Sequence, residues 1–151
     1  MIRVQQDAFD VGQELAAFRA VHGVDGATAL FVGSVRDVSE GRNVSAMTLE
    51  HYPGMTEKAL AEIEAQAQAR WPLTGSLIIH RHGRLLPGDD IVLVITASPH
   101  REEAFAACQF LMDWLKTRAP FWKLEEGSEG PRWVEAKDSD DAAARRWTEA
   151  P

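Results

Sequence analysis

Cysteine is almost absent from this chain of 151 residues, since Cys108 is the only one. A single thiol excludes an internal disulfide and a multi-cysteine metal site, and it suits a reducing cytosol. Long apolar runs are also missing, because no stretch approaches the roughly 20 residues that a membrane-spanning helix needs. The first ten residues carry one basic side chain among polar ones, which is unlike a secretory signal. We therefore expect a cytoplasmic protein with one domain over residues 1–151.

Positive charge is scarce as well, and the net charge is −7. An acidic average surface repels nucleic acid, which argues against a general role in binding it. Four basic residues nevertheless lie close together in the sequence: Arg101, Lys116, Arg118 and Lys123. The sequence therefore predicts a basic pocket on an acidic protein.

The apolar pattern of the first half predicts a helix, two strands and a second helix. Asp10 is expected to cap the first helix, with Gln13 at the capping-box position. A mostly buried strand is predicted over Ala27–Val35, and a mobile loop over residues 37–45. A partner strand over Ala46–Tyr52 and a helix capped by Thr56 follow.

The second half continues with two strands, a helix, a strand and a last helix. The predicted bounds are Ser76–His82, Asp90–Ala97, a helix from Pro99 to the break at Pro120, Arg132–Ala136, and a helix over Asp140–Trp147 capped by Ser139. The apolar stripe of the third helix is predicted to be Phe105, Cys108, Met112 and Leu115. Residues 148–151 are expected to form a tail. Because strands and helices do not alternate steadily, we expect an α+β fold with a mixed or antiparallel sheet.

The start of the third helix carries two cationic side chains, His100 and Arg101. The free N–H groups and the dipole at a helix N-terminus favour an anion and repel cations. One interpretation is a bound phosphate or carboxylate at this end. In the other, Glu102 and Glu103 offset the dipole while the cations point to solvent, and spacing alone does not decide between the two.

Two lysines flank the end of the same helix. If Pro120 folds the chain back, Lys116 and Lys123 share a cleft, and each charge lowers the pKa of the other amine. A lysine tuned in this way serves as a general acid or base, or as a nucleophile. The alternative is two ordinary surface lysines.

Other polar residues give weaker signals. Arg36 follows a strand and opens a loop, where its planar fork suits a phosphate. His80 and His82 share one face of a strand, but no cysteine or HExxH-type pattern supports a metal there, so we interpret them as structural. Cys108 is expected to be a packed thiol. The five tryptophans are expected to be core or interface residues.

Longer stretches resemble a known family. They are LEHYPGMTEKALAEI at residues 49–63, PHR at 99–101, LKTRAPFWK at 115–123 and RWVEA at 132–136. Together they resemble the catalytic, large subunit of molybdopterin synthase, and the similarity extends from Phe9 to Trp147. The resemblance implies an α/β hammerhead-type domain with additional β structure. It also implies a homodimer within a heterotetramer, with one small ubiquitin-like sulfur carrier per subunit.

The same resemblance implies a sulfurtransferase activity in molybdenum cofactor biosynthesis. The carrier's Gly-Gly tail ends in a thiocarboxylate, whose sulfur passes to cyclic pyranopterin monophosphate. Two such transfers form the dithiolene of molybdopterin. The family needs no metal and no cofactor for this step, and nucleic acid and membrane take no part.

Carried over position by position, the resemblance assigns roles to nine residues. The catalytic lysines fall on Lys116 and Lys123, and the substrate-binding residues are Ser34, Val35, Arg36, His100, Arg101, Leu124 and Glu125, together with both lysines. Three positions depart from the family pattern. Ser34 stands where many relatives have lysine, Pro99 replaces a common alanine, and Lys137 stands where arginine is frequent. Ser34 lowers the local positive charge, and Lys137 lacks the bidentate fork of arginine.

Two rival functions stay open at this point. A non-catalytic anion-binding scaffold needs Arg36 and Arg101 but neither lysine. A metal-assisted hydrolase built around His80 and His82 predicts a stoichiometric metal and inhibition by chelators. The presence of both lysines favours the sulfurtransferase.

Overall fold

The computed structural model describes residues 1–135 and 137–148. Thirteen helices and strands follow one another along these residues. The first seven are β1 (Ile2–Gln5), α1 (Val11–His22), β2 (Ala27–Ser34), β3 (Val38–Ser39), β4 (Arg42–His51), α2 (Met55–Arg70) and β5 (Gly75–Arg81). The other six are β6 (Gly83–Leu85), β7 (Asp90–Ser98), α3 (Arg101–Thr117), β8 (Phe121–Gly127), β9 (Arg132–Val134) and α4 (Asp138–Arg145). The predicted strand end at Ala136 and most of the predicted tail, residues 149–151, lie outside the described residues.

The strands form two sheets. The first has the order β1-β5-β7-β2, in which β1 and β5 are parallel and the other pairs are antiparallel. The second has the order β3-β4-β8-β9, and the short β6 also pairs with β4. The predicted α+β class with a mixed sheet is confirmed. No helix in the described part of the chain is long and apolar enough to span a membrane.

The core lies on both faces of the first sheet. Along β7, Val92 and Val94 pack with residues of α2 and α3, whereas Leu93 and Ile95 pack with Phe18 of α1. This division follows from the period of two along a strand. Because helices cover both faces, β5 and β7 are apolar on both sides, which explains their nearly continuous apolar runs. Each fully buried aliphatic side chain here contributes about 1.5–3 kcal/mol to stability.

The first helix starts as predicted, and the second does not. Asp10 accepts a hydrogen bond from the backbone N–H of Gln13 at 2.8 Å. In α2 the predicted cap at Thr56 is wrong, because the helix begins after Gly54, which has a φ of +86°. The Glu57 carboxylate accepts from the Gly54 N–H at 2.7 Å. Thr56 is buried instead, and its hydroxyl donates to the carbonyl of Tyr52 at 2.9 Å.

The third helix begins two residues later than predicted, at Arg101 instead of Pro99. His100 is the N-cap, and Pro99 precedes it instead of occupying the first helical position. The helix ends at Thr117, before the predicted break at Pro120. Phe105, expected in the buried stripe, is 65% exposed, and Ala104 lies in the core instead. One residue corresponds to about 100° around a helix, so a shift of one position moves a side chain out of the stripe.

Several strand predictions also need correction. The interpretation of β2 as mostly buried is wrong, since β2 is the edge of its sheet and Leu30 and Phe31 are 41% and 40% exposed. Residues 37–45, predicted as a loop, contain the β3–β4 hairpin, in which Val38 pairs with Asn43. The last helix begins at Asp138, so Ser139 is not its cap.

Candidate active site

A cavity of about 480 Å³ lies where the two sheets meet the C-terminal end of α3. Strands of both sheets and the last turns of α3 contribute to its wall. Six of the nine residues predicted from the family resemblance line it: Ser34, Val35, Arg36, Lys116, Lys123 and Glu125. The two sheets and the helix therefore bring together residues from distant parts of the sequence.

The alternation of side chains along β8 decides which of its residues face the cavity. Phe121, Lys123 and Glu125 are two apart and line it. Leu124 lies between them on the other face of the strand, and it does not line the cavity. Pairing with β4 places Leu49 opposite Lys123 and holds the strand in register.

Lys116 precedes Pro120 in the chain and Lys123 follows it, and both lysines line this cavity. Lys116 lies in the last turn of α3, and β8 returns the chain so that Lys123 faces the same space. Burial, together with the charge and hydrogen bond of Lys116, lowers the pKa of Lys123 to about 8. The prediction that Pro120 brings the two amines into one cleft is confirmed.

The cavity concentrates positive charge on an acidic protein. The sequence contains four lysines, of which Lys116, Lys123 and Lys137 line the cavity and only Lys58 lies elsewhere, on α2. Arg36 adds a fourth cation. The acidic lining residues are Glu125, Glu135 and Asp140. Since Glu125 lies 3.7 Å from Arg132, part of this negative charge is already paired. The arrangement favours a small anionic guest.

His100 and Arg101 lie at the other end of α3 and do not line this cavity. A helix of 17 residues is about 25 Å long at 1.5 Å per residue, so its two ends cannot meet at one small guest. Both side chains are exposed, and His100 makes no side-chain capping bond. Within a single chain, the expected convergence of Arg101 with the two lysines is not met.

His80 is a lining residue that was interpreted from the sequence as structural. Its ring stacks on Phe121 with 3.8 Å between centroids and 16° between planes. The Nδ1–H group donates to the carbonyl of Arg81 at 2.8 Å. Burial lowers the pKa of His80 to about 4, so the ring is neutral at pH 7. The sequence did contain a signal for this position. Side chains two residues apart on a strand share a face, so His80 lies on the same face of β5 as Ile78, toward α3.

The other candidates from the sequence do not join this site. His82 follows β5 and packs against His51, with 4.3 Å between ring centroids and 46° between ring planes. In the described residues, no group of three or more His, Cys, Asp or Glu side chains has the arrangement of a metal site. Cys108 is a buried thiol, as predicted, and burial raises its pKa to about 11.

The tryptophans divide between core and surface. Trp71 and Trp147 make edge contacts with Phe110 in the core, and Trp114 lies near the same ring. Trp122 and Trp133 are exposed on the second sheet. No tryptophan lines the cavity.

Comparison with known proteins identifies the family. A family model described as "MoaE protein" matches residues 4–118. The chain belongs to the MoaE family. A MoaE relative named molybdopterin synthase catalytic subunit, from Pseudomonas aeruginosa, is 62% identical over 148 residues, covering 98% of this chain and 99% of the relative.

Solved structures of MoaE proteins agree with this assignment. The molybdopterin biosynthesis MoaE protein from Burkholderia ambifaria is 55% identical, with a TM-score of 0.84 and coverage of 99% of both chains. The crystal structure of molybdopterin synthase from Staphylococcus aureus is 30% identical, with a TM-score of 0.79, covering 88% of this chain and 96% of that chain. The MoaE fold thus extends over nearly the whole chain.

Proposed function

We propose that this MoaE-family chain is the catalytic subunit of a molybdopterin synthase. It transfers sulfur from the C-terminal thiocarboxylate of a small ubiquitin-like carrier to cyclic pyranopterin monophosphate, and two transfers form the dithiolene. The observation that carries this proposal is the meeting of Lys116 and Lys123 in one cavity of a chain 62% identical to a molybdopterin synthase catalytic subunit.

The positive charge of the cavity supports the carrier thiocarboxylate and the pterin phosphate as its two substrates. A thiocarboxylate and a cyclic phosphate diester are both anions near neutral pH, and Arg36 and Lys137 supply donors to hold them. Because the cavity is partly enclosed between sheets, attraction between opposite charges is stronger there than in open water. In this reading Ser34, Val35 and Glu125 shape the wall around the guest.

The two amines have complementary roles. Lys116 moves protons at the reacting group or forms a transient covalent link to the carrier tail. Lys123, whose pKa is about 8, holds the guest's negative charge when protonated and is partly neutral near physiological pH. An amine with a pKa near the working pH is an effective proton donor and acceptor.

The assembly and the location belong to the same proposal. The carrier binds with its Gly-Gly tail in the cavity, and the chain, one domain over residues 1–151, works in the cytoplasm as a homodimer within a heterotetramer. His100, Arg101 and Leu124 remain assigned to substrate binding through the family pattern. The two cationic residues would serve a cavity only from a second copy, because α3 separates them from the cavity of their own chain.

The test is product formation from purified components. Pyranopterin precursor and thiocarboxylated carrier are mixed with the wild type, Lys116→Ala, Lys123→Ala and the matched control Lys58→Ala, and dithiolene product is measured. We expect a loss of at least about 100-fold for Lys116→Ala, a large loss for Lys123→Ala, and wild-type rates for Lys58→Ala. Folding and carrier binding should persist in all variants. Wild-type turnover by Lys116→Ala would refute the role of that lysine.

A further inference from the structure

His80 differs from the charged groups around it because its neutral ring can accept a hydrogen bond. In their charged forms Lys116, Lys123 and Arg36 only donate hydrogen bonds, because ammonium and guanidinium groups have no acceptor. His80 lines the same cavity as a neutral ring, and its Nδ1–H group is already used by the carbonyl of Arg81. This bond fixes the tautomer, so Nε2 carries the lone pair and accepts.

The free nitrogen remains available to a guest. No group in the described residues forms a hydrogen bond with Nε2 of His80. The buried side-chain polar atoms that lack a partner are Arg3 Nε, Glu103 Oε2 and Trp114 Nε1, and Nε2 is not among them. Nε2 has no partner and is not fully buried, so it is in contact with open space. Because the His80 ring lines the cavity, that space is the cavity.

The position of the ring is well determined. Stacking on Phe121 at 3.8 Å restricts its tilt, and the Nδ1 bond restricts its rotation. Phe121 lies two residues before Lys123 on the same face of β8, so the acceptor and the amine are held by one rigid strand. A site on paired strands positions groups more accurately than a loop does.

We propose that Nε2 of His80 accepts a hydrogen bond from a ring N–H group of the pterin and thereby orients it for sulfur transfer. This inference rests on the proposed function, because it concerns the same guest. A pterin carries several N–H donors at its ring edge, and ammonium and guanidinium groups cannot accept from them. The phosphate of the guest faces those cations, whereas its ring edge faces His80.

Two further observations favour the pterin over the carrier tail. Phe31, Met112 and Phe121 give the cavity flat and flexible apolar surfaces that suit a fused ring system. Two of the three lining carboxylates lie near cations, since Glu125 is 3.7 Å from Arg132 and Asp140 is close enough to Lys123 to raise its pKa. His80 is therefore a neutral acceptor that lies directly against the aromatic ring of Phe121.

The test separates the acceptor from the stacking surface. His80→Phe keeps an aromatic ring against Phe121 but removes the acceptor, and His80→Gln restores an acceptor near the position of Nε2. His82→Phe is the matched control, because His82 does not line the cavity. For each variant, KM for the pterin precursor and KM for the thiocarboxylated carrier are measured separately, and folding is checked by circular dichroism.

We expect His80→Phe to raise KM for the precursor about tenfold, with KM for the carrier changed less than about twofold. His80→Gln should recover most of the loss, and His82→Phe should behave as the wild type. Unchanged precursor KM in His80→Phe would overturn the proposal, and so would a rise confined to the carrier. If His80→Phe does not fold, His80→Leu is judged by the same criterion. Absence of product with the wild type would instead count against the proposed function.

Discussion

Lys116 and Lys123 line one cavity, although one belongs to a helix and the other to a strand. Pro120 separates the two elements, and β8 then runs antiparallel to β4. The charge and hydrogen bond of Lys116 are, after burial, the main causes of the lowered pKa of Lys123. The chain reversal at Pro120 therefore brings the two lysines together.

Removing Lys116 should change the titration of Lys123. In Lys116→Ala we expect the pKa of Lys123 to rise from about 8 yet stay below its ordinary value of 10.5, because burial, the largest cause, remains. NMR titration of the lysine side-chain resonances measures this directly. Lys58→Ala should leave Lys123 unchanged, and an unaltered titration in Lys116→Ala would contradict the coupling between the two amines.

His80 should make the protein sensitive to acid. Its pKa is about 4 in the folded state and near 6.5 in the unfolded chain, so between these values only the unfolded chain binds the proton. Stability therefore falls as the pH drops from about 6.5 to 4, by up to roughly 3 kcal/mol from this residue. His80→Gln should lose less free energy of unfolding over this range.

Urea unfolding of the two proteins at several pH values checks this expectation. His100→Gln, which replaces an exposed imidazole outside the cavity, serves as the control. Its loss of stability with acid should match that of the wild type. Parallel curves for His80→Gln and the wild type would show that burial of His80 does not contribute to acid sensitivity.

Cys108 should be inert in the folded protein. The thiol is buried in α3, and burial raises its pKa to about 11, so the reactive thiolate is rare at neutral pH. Iodoacetamide at pH 8 is expected to modify Cys108 slowly in the native protein and rapidly in urea, as followed by mass spectrometry. Cys108→Ala should keep sulfur-transfer activity, and a large loss of activity would assign the thiol a chemical role.

Arg70 should hold the last helix in place. Its guanidinium lies 5.1–5.6 Å from the ring centroids of Trp71, Phe110 and Trp147, and it donates to the carbonyl of Trp147 at 2.7 Å. In Arg70→Ala we expect amide hydrogen exchange in α4 to become roughly tenfold faster, corresponding to about 1.4 kcal/mol.

Loosening α4 in Arg70→Ala should also affect the cavity. Two residues of this helix region line the cavity, namely Asp140 and the N-cap residue Lys137. Arg19→Ala, which replaces an exposed arginine of α1, is the matched control and should leave exchange in α4 unchanged. If α4 exchanges at the wild-type rate in Arg70→Ala, the aromatic contacts of Arg70 are not what anchors this helix.

Local signals along the chain predicted most elements and some boundaries. Asp10 capped its helix as expected, since that cap depends on contacts within four residues. The cap at Thr56 was mispredicted because a positive φ at Gly54 started the helix earlier. The hairpin at residues 37–45 was missed because β3 has two residues and the first four residues of β4 are mostly polar, so this segment lacks the alternation that indicates a strand.

The sequence by itself determined the α+β class, the break at Pro120 and the packed thiol, and its long family motifs singled out Lys116 and Lys123 as the proposed catalytic pair. These features depend on local preferences and on residue identity. Tertiary structure decided that Lys123 and Glu125 face the cavity while Leu124 does not, that His80 joins them, and that Arg101 lies about 22 Å from Lys116 along α3. Such facts depend on strand register and helix length, which distant parts of the chain set together.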